Sequence, residues 1–186
     1  MPNWITNKLT INADNETLER IIAEVRNGDK PFDFEKVIPM PDNVYKGNLG
    51  PEEEKLYGKN NWYDWSIDNW GTKWNACHNN EDDIVEIFNG KLVYEFDTAW
   101  AAPFPVALKL SEKYKCACTL EYYDEDFGYN CGCFVCDNGA VDTDFHADAT
   151  TKESALEWIA DAFGDETMEA HGYYLVNNKW QFKMED

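Results

Sequence analysis

The chain has 186 residues, 44% hydrophobic and 15% aromatic, with 36 acidic against 16 basic side chains and a formal charge of −20. Such aromatic content excludes wholesale disorder, no apolar run approaches the ~20 residues of a membrane span, and a field this negative repels phosphate backbones and anionic lipids. The opening residues MPNWITNKLTIN lack the basic and apolar regions of a secretory signal, so the expectation is a cytoplasmic protein with reduced cysteines, bound neither to membrane nor directly to nucleic acid.

Residues 3–12 alternate, with Ile5, Leu9 and Ile11 on one face, and read as a half-buried strand. An amphipathic helix follows. Asp14 caps it, Leu18, Ile21, Ile22 and Val25 form its apolar stripe, and Gly28 stops it. A short apolar stretch, Phe32 to Ile38, ends at Pro39-Met40-Pro41. Residues 42–60 read as loop, with Glu52-Glu53-Glu54 as a solvated face, and 61–70 as a short helix ended by Gly71, after which a strand is expected near Lys73.

The runs IVEIF and KLVYEF alternate around Asn89-Gly90, a favoured type I′ hairpin turn. Pro103 to Tyr114 reads as a second helix. KCACTLEYY and CGCFV are two strands around the acidic turn DEDFGYN, and Asn138-Gly139 turns into a further strand reaching about His146. A third helix spans 151–163, with Thr150 and Glu153 as a capping box and Leu156, Ile159, Ala160 and Phe163 as its stripe. Residues 172–184 read as a final hairpin around Asn177-Asn178.

Strands that return after each helix give an α+β fold: a ferredoxin-like split βαβ core with helices on one face of a mainly antiparallel sheet, plus a C-terminal helix and hairpin. MPNWITNKLTI, VIPMP at 37–41, WYDWSIDNWGTKW at 62–74, FDTAWAAPFP at 96–105 and LEYYDEDFGYNCG at 120–132 occur in that order. Together they resemble the YubB-type ferredoxin-like domain proteins of phages, conjugative plasmids and related bacterial elements, whose biochemical function is not established. The resemblance covers residues 1–140 and implies a ferredoxin-like fold without an iron–sulfur cluster. It supplies no catalytic residues. Residues 1–140 are accordingly read as the core and 141–186 as an acidic helix and hairpin extension packed on it.

Several constellations could carry chemistry. Cys116-x-Cys118 and Cys131-x-Cys133-x2-Cys136 offer thiolates for zinc or a reversible disulfide if their strands pair, but strong structural zinc sites use C-x2-C knuckles, and inert packing is the reading adopted. His78, His146 and His171 are scattered, and no nucleophile–base spacing stands out, so neither an enzyme nor a cofactor is expected. Asp124-Glu125-Asp126 lacks the glycine and glutamate positions of an EF-hand loop and reads as an acidic turn. In the tryptophan block, Trp62, Trp65, Trp70, Trp74 and Trp100 could form a ligand platform, above all Trp65, Trp70 and Trp100, with Lys59 and Lys73 as the local cations; packing under the long loop is the reading adopted.

The charge is also uneven. Residues 116–186 hold 16 acidic and 3 basic side chains. Glu153, Glu157, Asp161 and Asp165 recur every four residues and would line one helix stripe, with successive carboxylates about 6 Å apart. Like charges at that spacing weaken a helix slightly, and a polar face needs no function to exist. The favoured expectation is nevertheless a non-enzymatic accessory protein of a mobile element. It would bind a protein partner, a basic nucleic-acid-binding protein for which the stripe mimics DNA, with Asp124, Glu125, Asp126, Asp142 and Asp144 as supporting charge. The alternative is a small-molecule or metal-binding module built on the Trp block or the cysteines.

Overall fold

The computed structural model describes residues 2–78, 87–146 and 151–183. Strand β1 (Trp4–Asn12) buries every second residue, as its alternation predicts. Helix α1 (Asn15–Val25) starts where the Asp14 carboxylate accepts the Thr17 N–H at 2.8 Å, and it buries Leu18, Ile21 and Val25. The apolar stretch after it contains a single helical turn, α2 (Phe34–Val37), capped by Asp33.

The region expected to be loop contains helix α3 (Pro51–Tyr57). Pro51 takes the first helical position, where its missing N–H costs nothing, and Glu52, Glu53 and Glu54 fill the first turn, which favours carboxylates. Helix α4 (Trp62–Trp70) is capped by the buried Asn61, whose side chain accepts the N–H groups of Tyr63 and Asp64, and it ends at left-handed Gly71 as expected. The strand expected near Lys73 is absent. Residues 71–75 are a bend, and only Cys77 bridges to Asp97.

Strands β2 (Ile87–Phe88) and β3 (Lys91–Ala99) form a hairpin on Asn89-Gly90, both at positive φ. The first part of the expected hairpin strand, 84–86, lies outside the described residues, as does Thr150 of the expected capping box. Helix α5 (Phe104–Tyr114), strands β4 (Ala117–Asp124), β5 (Gly132–Asp137) and β6 (Ala140–His146), and helix α6 (Lys152–Phe163) complete the expected order. Gly164 then turns the chain at φ 88° into an extra short helix, α7 (Asp165–Ala170), before the hairpin of β7 (Tyr173–Val176) and β8 (Lys179–Phe182).

The main sheet has the order β2-β3-β1-β4-β5-β6 with every neighbour antiparallel. Strands β3 and β4 therefore run the same way, joined by α5, with β1 filling the gap between them. Strands β1 and β2 likewise run parallel with β3 between them. These two split βαβ units are the ferredoxin-like core. Strands β5 and β6 extend the sheet past β4, so residue 140 falls at the hairpin between two strands of one sheet.

One sheet face is sealed by α1 and α5 over a core that includes Ile5, Leu9, Ile11, Leu110, Leu120 and the stacked pair Phe32 and Tyr94. The other face carries Trp4, Thr6 and Lys8 of β1. Helix α6 lies against its β4 end, over a second, smaller cluster that includes Tyr123, Phe127, Cys131, Leu156, Ile159 and Met168. Lys8 ties α6 down: it pairs with Glu121 at 2.8 Å, donates to the Ala162 carbonyl, and lies 4.9 Å from the Phe163 ring centre. Among the described residues no helix is long and apolar enough to cross a membrane.

Candidate functional site

Of the acidic stripe, Glu153, Glu157 and Asp161 stand exposed in a row on α6, and Glu153 pairs with Lys179 at 2.6 Å. Asp165 leaves the row, because the Gly164 turn starts a new helix there. Asp142 and Asp144 are exposed on β6, and Glu125 and Asp126 in the turn after β4. Asp124 is not surface charge: it is 6% exposed and accepts hydrogen bonds from the Asn3 amide (3.3 Å), the Asp126 N–H (2.9 Å) and the Asn130 amide (2.9 Å). It braces the turn from inside.

Three of the five candidate cysteines lie together in the core and two lie apart. Cys116 and Cys118 share the core face with sulfurs 3.9 Å apart, and Cys136 sits opposite Cys118 in register. Cys131 belongs to the second cluster, 4.0 Å from the Ala155 carbonyl, and Cys133 is half-buried on the other sheet face, opposite Glu121. Hydrogen bonds with Cys116 and Cys136, then burial, hold the Cys118 thiol protonated, and burial pushes the Cys131 thiol up to about 11. Cys116 and Cys136 shift the other way, each lowered first by its hydrogen bond with Cys118. Among the described residues no three His, Cys, Asp or Glu side chains gather as a metal site would.

The proposed tryptophan platform divides. Trp70 is 4% exposed, donates its indole N–H to the Ile38 carbonyl at 2.9 Å and packs edge-on against Phe34. Trp65 packs edge-on against Trp70 and is half-buried beside the core. Both are structural. Trp100 is 44% exposed and occupies a different place.

Trp100 joins a group drawn from three segments. Tyr63 comes from the first turn of α4, Lys73 and Trp74 from the 71–75 bend, and Trp100 from the turn after β3. The Lys73 ammonium lies 4.5 Å from the Trp100 ring centre, 4.7 Å from that of Trp74 and 5.8 Å from that of Tyr63. Tyr63 and Trp100 meet nearly at right angles, 6.4 Å between centres, so the rings act as walls rather than a stack. Trp4 backs Trp74 at 5.9 Å and meets the edge of His78, whose Nδ1 lies 2.7 Å from Asp97. Thr6 donates its hydroxyl to the same carboxylate at 2.9 Å. A pocket of about 550 Å³ opens beside Lys73, bordered by Lys46, Glu54, Trp62 and Tyr63.

The scaffold beneath is tightly bonded. Buried Thr72 donates to the Ala99 carbonyl, Trp100 donates its N–H to Asn3, and Thr98 donates to the Ala101 carbonyl while receiving the Asn7 amide. Asn75 donates to Asp33 at 2.6 Å and accepts the Phe34 N–H, which pins the bend to α2. Burial raises the Asp33 pKa, but the hydrogen bonds from Asn75, Asn27 and the Glu35 N–H outweigh it and hold that carboxyl below its usual value. This framework keeps Trp100 at φ 72°, a conformation that costs a bulky residue of the order of 1–3 kcal/mol. Sequence reasoning had Lys73, Trp74 and Trp100 as members of an aromatic block. It missed Tyr63 and Trp4, because a bend that sets three segments side by side leaves no periodic signal.

A protein-family model described as the ferredoxin-like domain in Api92-like protein matches residues 70–167, just over half of the chain. The match starts at Trp70, takes in Lys73, Trp74 and Trp100, and continues beyond residue 140 through α6, while β1 and α1 precede it. No curated protein and no solved structure matches the chain. By this match the chain belongs to the family of ferredoxin-like domains in Api92-like proteins.

Proposed function

We propose that the protein is a non-enzymatic binding module that engages a basic protein partner. The observation that carries this reading is the exposed row of Glu153, Glu157 and Asp161 on α6, a helix seated on the sheet face that also carries Trp4. Of the cations in the C-terminal region, Lys179 is held by Glu153, and Lys152 lies over Tyr129 and Tyr173. Such a surface speeds encounter with a positive partner and selects against negative ones. At four residues per step the carboxylates rise by about 6 Å each, a spacing that suits a basic surface shaped for a phosphate backbone. The finer form of the proposal is a DNA-mimicking accessory protein of a phage or plasmid, acting in the host cytoplasm on a nucleic-acid-handling or defence protein.

The test is capture of purified basic DNA-binding proteins on the immobilised chain at low and high salt, beside a Glu153→Gln, Glu157→Gln, Asp161→Asn variant. Retention that falls with salt and is lost in the variant is expected. Equal retention by parent and variant would sink the reading.

A further inference from the structure

In a chain with 36 acidic side chains, Lys73 is held by aromatic rings. No carboxylate forms an ion pair with it among the described residues. Three ring faces within 6 Å of one ammonium are the arrangement by which proteins hold organic cations, because the negative face of each ring attracts a weakly hydrated positive charge without demanding a hydrogen bond. We propose that Tyr63, Trp74 and Trp100 form a binding cage for an alkylated ammonium head group, and that Lys73 occupies it as a tethered stand-in for that ligand.

Three observations support a ligand rather than a purely structural lysine. Trp100 is held in the left-handed backbone region by the Asn3, Ala99 and Ala101 hydrogen bonds, so the fold maintains a strained, half-exposed indole where it serves no core. The walls come from three segments that hydrogen bonds of the scaffold hold, Thr72 tying the bend to the turn that carries Trp100, which preorganises the cage whether or not it is filled. The 550 Å³ pocket adjoins Lys73, giving the displaced side chain room to swing and a ligand's body room to lie.

The aromatic lining favours a cation. The adjoining pocket is lined by Lys46 and Lys73 against Glu54, while the chain as a whole carries −20, which works against an anion arriving from solution. A tethered competitor lowers the apparent affinity for a free one in proportion to its effective concentration, so the parent binds weakly and loss of Lys73 exposes the site. The site is distinct from the α6 carboxylates, and its test does not depend on them.

The experiment titrates tetramethylammonium into parent, Lys73→Ala and Lys73→Gln proteins and follows the indole N–H signals of Trp74 and Trp100 by NMR. Parallel titrations use choline, inorganic phosphate, and a peptide with one trimethylated lysine beside its unmodified counterpart. Both single variants should bind tetramethylammonium about tenfold more tightly than the parent, and the double variant Lys73→Ala, Trp100→Ala should lose that binding. Tighter binding of choline than of the modified peptide assigns a free small ligand, and the reverse assigns a modified side chain; either supports the cage. Lys73 variants no tighter than the parent overturn it. So does phosphate that moves the same two indole signals in the parent but not in the variants, which would make Lys73 an anion ligand. Should Lys73→Ala fail to fold, Lys73→Gln, which keeps the stem, carries the test alone.

Discussion

Helix α4 divides two groups of aromatic residues that the sequence presents as one block. On its inner side Trp70 has its N–H taken by Ile38 and its ring set against Phe34 and Trp65. On its outer side Tyr63 faces Trp100 across an ammonium, and Trp100 keeps a strained backbone and an open edge. The same residue type serves opposite ends. Where every polar atom is paired and every face packed, an indole stabilises the fold. Where a face is held open by bonds made elsewhere, it is available to bind.

The sharpest way to break this comparison is Trp70→Ala. Removing a packed indole should cost about 3–5 kcal/mol, read as a fall in denaturant midpoint. A loss below about 1 kcal/mol would place Trp70 with the outer group.

Asp33 couples the two sides, since it holds Asn75 in the bend that carries Lys73 and Trp74. Asp33→Ala strands the Asn27 and Asn75 amides and should cost about 1–3 kcal/mol. Its folded pKa lies below the unfolded one, so its contribution is complete above the unfolded value near 4 and disappears as pH falls through the folded value. Stability of the parent followed from neutral pH to pH 2 or so should fall on that limb more steeply than stability of Asp33→Asn. Parallel curves would remove Asp33 as the link.

Trp100→Gly relieves the positive φ while giving up a half-exposed ring, so its net effect should stay within about 1 kcal/mol, a Tm change of about 2–4 °C. A drop as large as that of Trp70→Ala would show that the outer group is core after all. The smallest effect is expected from Lys73→Gln, within about 0.5 kcal/mol by thermal unfolding.

Much of the frame could be read before any coordinates. Alternation located β1, Asn-Gly pairs located two hairpins, and Asp14 marked the start of α1, because these signals act within a few residues. Helices α3 and α7 escaped because each is short and flanked by glycine, where local composition resembles loop. The four-carboxylate row failed at its last member for a local reason, the backbone of Gly164. Asp124 failed because its carboxylate turns inward to the Asp126 N–H and the Asn130 amide of its own turn and to Asn3, 121 residues away. The cage shares that origin. Its tryptophans stood in the sequence, but which face outward depends on the turn of α4 and on the hydrogen bond between Thr72 and Ala99.

The growth of the sheet beyond β4 has a consequence for how the molecule behaves in company. Adding β5 and β6 turns β4 into an inner strand and leaves the sheet ending on β2 at one side and β6 at the other. An outermost strand offers unpaired backbone groups to any passing chain, and short length or acidic residues discourage such pairing. Strand β2 is described over two residues, and β6 carries exposed Asp142 and Asp144. Neutralising that pair should leave the chain folded and increase its self-association at high concentration. The two carboxylates would then act as guards of an open border, repelling a second copy of the chain.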